Sequence, residues 1–152
     1  MHALVRLFDY DYWANSRIID LLIKRGITDD QLLQWMNHIV NMEEIWLLRC
    51  KEEDSYMSLK TQRPLTTLLL QTQSLHREYC QMVKLRTDEQ LDEYVSYRNQ
   101  RGMAFSMPLR DILTHVINHS THHRGQIVAG LRSAGFVPPV TDYIHFVQYA
   151  KV

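Results

Sequence analysis

Residues 114–126 read THVINHSTHHRGQ and hold four of the chain's eight histidines, at His115, His119, His122 and His123. The stretch lies inside a longer helical pattern. Ile112, Leu113, Val116, Ile127, Leu131 and Ala134 recur at helical spacing and mark a buried stripe. Pro108 suits the first turn of this helix, which needs no amide donor there. Gly135, with Phe136 behind it, stops the helix near Ala134. Residues four apart on a helix lie roughly 40° apart in azimuth and ~6 Å apart along the axis, so their side chains can share one ion. Measured from the stripe, His123 projects roughly 50° away and His119 roughly 90°, whereas His115 and His122 lie roughly 130–150° away. The inward pair is therefore His119 and His123. Gln126, one turn on, is placed to fix a ligand ring or a substrate, and Gly125 is expected to let a neighbouring helix approach closely.

Outward from this helix, three more long helices are legible. Residues 3–25 carry Leu4, Leu7, Phe8, Ala14, Ile18, Ile19, Leu21 and Leu22 and end at Gly26. The same face contains Asp11 and Asn15, polar groups that need partners if buried. They either bond loop backbone at a bundle end or orient imidazoles or substrate behind a site. A second helix, about Asp30 to Lys51, follows the cap candidates Thr28, Asp29 and Asp30. Its apolar face runs through Leu32, Trp35, Met36, Ile39, Met42, Ile45 and Trp46, with His38 on the shoulder. Glu43 and Glu44 project to the polar side and read as a solvated face. Lys51 to Pro64 is a connection long enough to run back along a helix, so the direction of the third helix, about Leu65 to Leu85, stays open. His76 and Cys80 flank its buried stripe. Thr87 to Met107 breaks the helical period; Glu93 to Tyr97 and Met103 to Met107 around Asn99-Gln100-Arg101-Gly102 read as a small hairpin or an extended crossover. Past Pro138-Pro139, a short last helix is expected from Tyr143 to about Ala150. The chain is thus all-α apart from that hairpin, and residues 1–152 are expected to form one domain.

Composition narrows the function classes. Hydrophobic residues make up 45% and charged residues 22%, a globular balance that leaves no place for wholesale disorder. Lys+Arg and Asp+Glu are equal at 17 each, so there is no electrostatic footprint for nucleic acid or anionic membrane. Arg124 and Arg132 are too sparse to form a basic patch. No apolar run approaches the ~18 residues of a membrane span, and the N-terminus MHALVRLFDYDYWAN lacks the apolar core of a signal peptide. Cys50 and Cys80 share no paired spacing, which excludes a disulfide framework and a four-cysteine zinc site. A cytoplasmic, reduced protein is the expectation.

Two histidines do not finish a site. A catalytic zinc-type centre takes three protein ligands and keeps an open position. The third must come from another helix, with His38 the best-placed candidate and His76 next. The stretch contains no carboxylate, unlike the Glu-x-x-His pattern of di-iron bundles. Nor does it contain the H-E-x-x-H of zincin proteases.

NHSTHHRGQI, together with YDYWANSRII, NHIVNMEEIWLLR and GFVPPVTDYIHF, resembles the DinB family of damage-inducible, YfiT-like metalloenzymes, over nearly the whole chain. The resemblance does not extend to the DNA polymerase of that name. It implies a four-helix bundle with long crossover connections, often a homodimer, in which His38, His119 and His123 hold one divalent metal. His122 departs from the pattern, since relatives often have Tyr there, and it adds a competing donor beside the site. Zinc and nickel both suit three imidazoles. Neutral ligands leave the ion its full charge, enough to bring a bound water's pKa to about 7 or to hold a thiol as thiolate. The expected function is a metal-dependent transferase activating a low-molecular-weight thiol as its small-molecule substrate. The alternatives are a hydrolase using metal-bound water and a non-catalytic metal-binding stress-response module.

Overall fold

The computed structural model describes residues 3–53, 55 and 61–149. Its elements are α1 (Ala3–Lys24), α2 (Asp30–Cys50), α3 (Leu65–Lys84), α4 (Asp88–Leu91), β1 (Tyr94–Arg98), β2 (Ala104–Pro108), α5 (Leu109–Ser133) and α6 (Tyr143–Tyr149). The four long helices begin and end within one residue of their expected bounds. The expected last residue of the short helix, Ala150, lies outside the described residues.

Local chemistry sets these ends. Asp29 caps α2 by accepting from the Leu32 amide at 2.9 Å, a contact worth about 1 kcal/mol. Gly26 at φ +59° and Gly135 at φ +84° take the left-handed conformation that closes α1 and α5. Beside them, the Ile27 and Phe136 amides reach back to the Leu22 and Leu131 carbonyls. Glu52 makes the same turn after α2 at φ +57° without being glycine.

Two features differ from expectation. The stretch read as non-helical opens with the single turn α4, held by a reciprocal capping box between Thr87 and Gln90 and burying Leu91. Four residues are too few to show a period. Pro108 does not open the helix in helical geometry; at φ −56°, ψ 137° it is both the last residue of β2 and the N-cap of α5. The hairpin itself is antiparallel, pairing Val95 with Met107 and Tyr97 with Phe105. Val95 is its inward anchor.

Cross-helix contacts give the topology. Phe8 stacks on Tyr79 and Tyr12 on His76, so α1 and α3 are antiparallel. Leu32 lies against Gly130, His38 against His123, and Trp46 against His115, so α2 and α5 are antiparallel too. The chain enters α3 with Arg63 beside Asn37, and Tyr79 further on donates to the Glu43 carbonyl, so α3 runs in the same sense as α2 and the connection between them must return along the bundle. Asn41 and Asn37 hold it there, Asn41 donating to the Thr61 carbonyl at 2.9 Å and Asn37 Oδ1 accepting from the Arg63 amide at 2.7 Å. This is the long crossover of a four-helix bundle. Ile18, Ile19, Leu22, Met36, Ile39, Leu68, Leu75, Leu113 and Leu131 are buried between the helices, each contributing about 1.5–3 kcal/mol. α6 closes one side, with Phe146 packed against Tyr10 and the Tyr10 hydroxyl donating to the Thr141 carbonyl.

The close approach of α2 and α5 falls at Gly130, not at Gly125. A methyl at Gly130 would sit 2.7 Å from Leu32 Cδ2, whereas one at Gly125 would meet nothing within 4 Å. Gly125 is on the exposed side of α5.

Candidate metal centre

The antiparallel pairing of α2 and α5 brings His38 opposite His119 and His123. One nitrogen from each of the three rings lies within 4.8 Å of the others. His38 Nε2 and His119 Nε2 are 3.2 Å apart, and the His123 ring centroid is 4.5 Å from each of the other two. Imidazole nitrogens bound tetrahedrally to one zinc-sized ion are separated by roughly 3.3 Å. The donor set and its spacing therefore fit a divalent ion, and the group could hold one.

The electrostatics suit that role. Burial, then the neighbouring His123 and His38, pulls His119 down to about 3. Burial and His123 likewise lower His38. Both rings are neutral at physiological pH, so their lone pairs are available without displacing a proton. His123 donates from Nδ1 to Oε1 of Gln126 at 2.6 Å, which leaves Nε2 as the nitrogen carrying the lone pair. Gln126 thus fixes a ring of the group, as its position one turn beyond suggested.

The remaining histidines stand apart. His115 and His122 are exposed, the first packed edge-on against Trp46 and the second against His123. Neither joins the convergent set. His76, the other candidate for a third donor, faces α1, with its Nε2 2.7 Å from Asp9 Oδ1.

Behind the histidines lies a buried polar network that changes three sequence expectations. Asp11 and Asn15 do not touch the imidazoles. Asp11 pairs with Arg124, whose Nη1 also donates to Asn15 Oδ1 at 2.9 Å and whose Nη2 donates to Thr121 Oγ1 at 2.8 Å. Arg124 is 2% exposed, so it is an interior cation and no part of the surface. Glu43 is likewise buried, with Oε1 accepting from Asn15 Nδ2 at 2.9 Å and from Ser120 Oγ at 2.8 Å. Glu44 is half-buried and paired with Arg63 at 2.6 Å. Burial, then the adjacent Asp11, holds the Glu43 carboxyl well above its ordinary range. Burial alone would lower the Arg124 guanidinium, but Asp11 outweighs it and the net shift is upward.

A second reading of the helices could have found these residues. Met36, Val40, Leu47 and Cys50 form a buried stripe passing through Glu43, and Ile117, Ser120, Ile127 and Leu131 form one passing through Arg124. The network ties α1, α2 and α5 together beside His119 and His123, and so sets the register in which the three rings meet.

His38 also lines a cleft of about 400 Å³ with Gln31, Gln34, Trp35, Asn37, Thr61 and Gln62, which suits a small molecule. A larger cavity of about 850 Å³ lies between the end of α2 and the hairpin. It includes Arg49, whose guanidinium is 4.5 Å from the Trp46 ring and 5.0 Å from the Tyr97 ring, but none of the three histidines. The smaller cleft is the one beside the three histidines.

Comparison with known proteins agrees with the fold. The model of the DinB family matches residues 3–151. Protein DinB of Bacillus subtilis (strain 168) is 24% identical, over 91% of this chain and 90% of its own. The uncharacterized protein YizA of the same strain is 21% identical, over 93% and 94%. The crystal structure of a DinB-like protein from Bacillus cereus ATCC 10987 superposes with a TM-score of 0.70 at 19% identity, over 90% of this chain and 94% of that one.

Proposed function

The chain belongs to the DinB family, and on that premise we propose a metal-dependent transferase in which His38, His119 and His123 hold a divalent ion, zinc or nickel, and a low-molecular-weight thiol is activated. The observation that carries this reading is the convergence of three imidazoles from two helices beside a cleft of small-molecule size. A divalent ion held there by His38, His119 and His123 would keep its full charge and would supply Lewis-acid chemistry. Gln126 orients one ring, and the Glu43–Ser120 bond keeps α2 and α5 in register. Gln34 and Gln62 offer uncharged polar groups to a substrate in the cleft.

Thiol is favoured over water by what surrounds the histidines. Hydrolysis profits from a carboxylate base, and among the described residues no carboxylate joins the convergent donors. Glu43, on the neighbouring turn of α2, uses its Oε1 on Asn15 and Ser120. A thiol loses its proton far more readily and needs no such base. A cytoplasmic homodimer is the working state within this proposal; exposed Met103, Phe105 and Met107 on the hairpin supply apolar surface for a second copy.

Elemental analysis of the purified protein and its His38→Ala, His119→Ala and His123→Ala variants tests the ligand set. Glutathione or cysteine with monochlorobimane tests thiol transfer. Metal and turnover should be lost together while the far-UV helical signal survives. Turnover retained in a metal-free variant would sink the enzyme reading. Metal retained in His38→Ala would mean that the third donor lies elsewhere.

A further inference from the structure

A second convergence of donors lies on the other helix pair, where α1 meets α3. His76 and Cys80 are one turn apart on α3, the same spacing that His119 and His123 have on α5. Asp9 of α1 faces both. Its Oδ1 is 2.7 Å from His76 Nε2 and 3.8 Å from Cys80 Sγ. The three ligand atoms all lie within 4.8 Å of one another. Tyr12 stacks on the His76 imidazole, with centroids 4.8 Å apart and planes 20° apart, and so fixes the direction in which the ring points.

We propose that Asp9, His76 and Cys80 form a second divalent-metal site, selective for zinc, that clasps α1 to α3. Sulfur with imidazole favours zinc over magnesium or calcium, which prefer sets of oxygen donors. Three protein donors leave one position for solvent, and the partly exposed Asp9 and His76 side chains leave a path for an ion to enter. The nitrogen–oxygen separation must open by roughly 0.6 Å to reach tetrahedral spacing, which a small rotation of the Asp9 side chain supplies. When the ion binds, the Cys80 S–H bond breaks, sulfur keeps the electron pair to form the metal–sulfur bond, and the proton passes to solvent. No oxidation is involved. The character of this site differs from that of the three histidines. A thiolate and a carboxylate neutralise the dipositive charge, so the ion joins two helices and is a poor Lewis acid.

The test is cobalt(II) titrated into the full-length metal-free protein, followed by the near-ultraviolet thiolate-to-cobalt charge-transfer band. Only a site containing cysteine produces that band. It should appear in the wild type and persist in Cys50→Ser, His119→Ala and His123→Ala. It should vanish in Cys80→Ser and in Asp9→Asn, with far-UV dichroism confirming that both remain folded. Absence of the band in the wild type, or its survival in Cys80→Ser, overturns the proposal. The His119→Ala arm separates this outcome from failure of the three-histidine reading, because that variant removes the other group and leaves Cys80 in place.

Discussion

Gln126 accepts a 2.6 Å hydrogen bond from Nδ1 of His123, and that bond decides which nitrogen of the ring is free to bind an ion. Gln126→Ala leaves the imidazole free to rotate and to exchange tautomers. Metal affinity should fall about 10- to 100-fold with helicity unchanged, as measured by competition with a chromophoric chelator. Gln126→Glu, which supplies a charged acceptor at the same place, should at least restore it.

Asp11 and Glu43 share a single buried cation, Arg124. Two ionised carboxylates beside one guanidinium would leave an uncompensated negative charge in the interior, so Glu43 holds its proton to higher pH. The folded-state pKa lies above the ordinary 4.5, so this contribution to stability is fully present below that value and is lost as pH rises through the folded pKa. Glu43→Gln keeps the uncharged shape and cannot titrate. Its melting temperature relative to wild type should therefore rise as pH rises above 4.5, and a flat difference would contradict the assignment. Asp11→Ala strands Arg124 and should cost about 3–5 kcal/mol in urea unfolding.

The two glycines of α5 should respond oppositely to alanine. Gly130→Ala drives a methyl into Leu32 and Trp35 and should destabilise by about 1–3 kcal/mol, loosening the α2–α5 pairing. Gly125→Ala meets open space inside a helix and should stabilise by about 1 kcal/mol. Thermal melts of the pair read both signs directly.

Both cysteines are poor nucleophiles in the folded protein. Burial pushes the Cys50 thiol up to about 12, and burial with the Asp9 carboxylate pushes Cys80 up to about 11. At pH 7 a thiol of the latter kind is thiolate roughly one time in ten thousand. Alkylation of the native protein by iodoacetamide should be slow and rise about tenfold per pH unit through pH 9, while the guanidinium-unfolded chain reacts at the ordinary rate. Fast native labelling at pH 7 would show that one thiol is more open than its packing implies.

The helix ends and the inward direction of His119 and His123 were legible because local signals set them: Asp29 as a cap, Gly26 and Gly135 as stops, and a strong apolar stripe on α5. The buried network was not legible. Glu43 and Arg124 are charged types that normally face water, and their partners Asn15 and Asp11 lie 28 and 113 residues away in sequence. The missing side chain of Gly125 suggests a close approach there, but packing depends on what stands opposite, and Leu32 stands opposite Gly130. The direction of α3 depended on Asn37 and Asn41, which hold the returning crossover by its backbone and carry no periodic signal.

The sequence distance between His38 and His119 is 81 residues, bridged by two helix pairings and the hairpin. An ion gripping both would act as a removable cross-link closing more than half of the chain into a loop. It could form only after the last long helix has docked, so tight binding would report a completed bundle. At a free-ion level a thousand times its dissociation constant, it would add about 4 kcal/mol to the folded state by mass action. Chelation would then shift the melting transition as well as silence the chemistry, making metal supply a control on how long the protein persists.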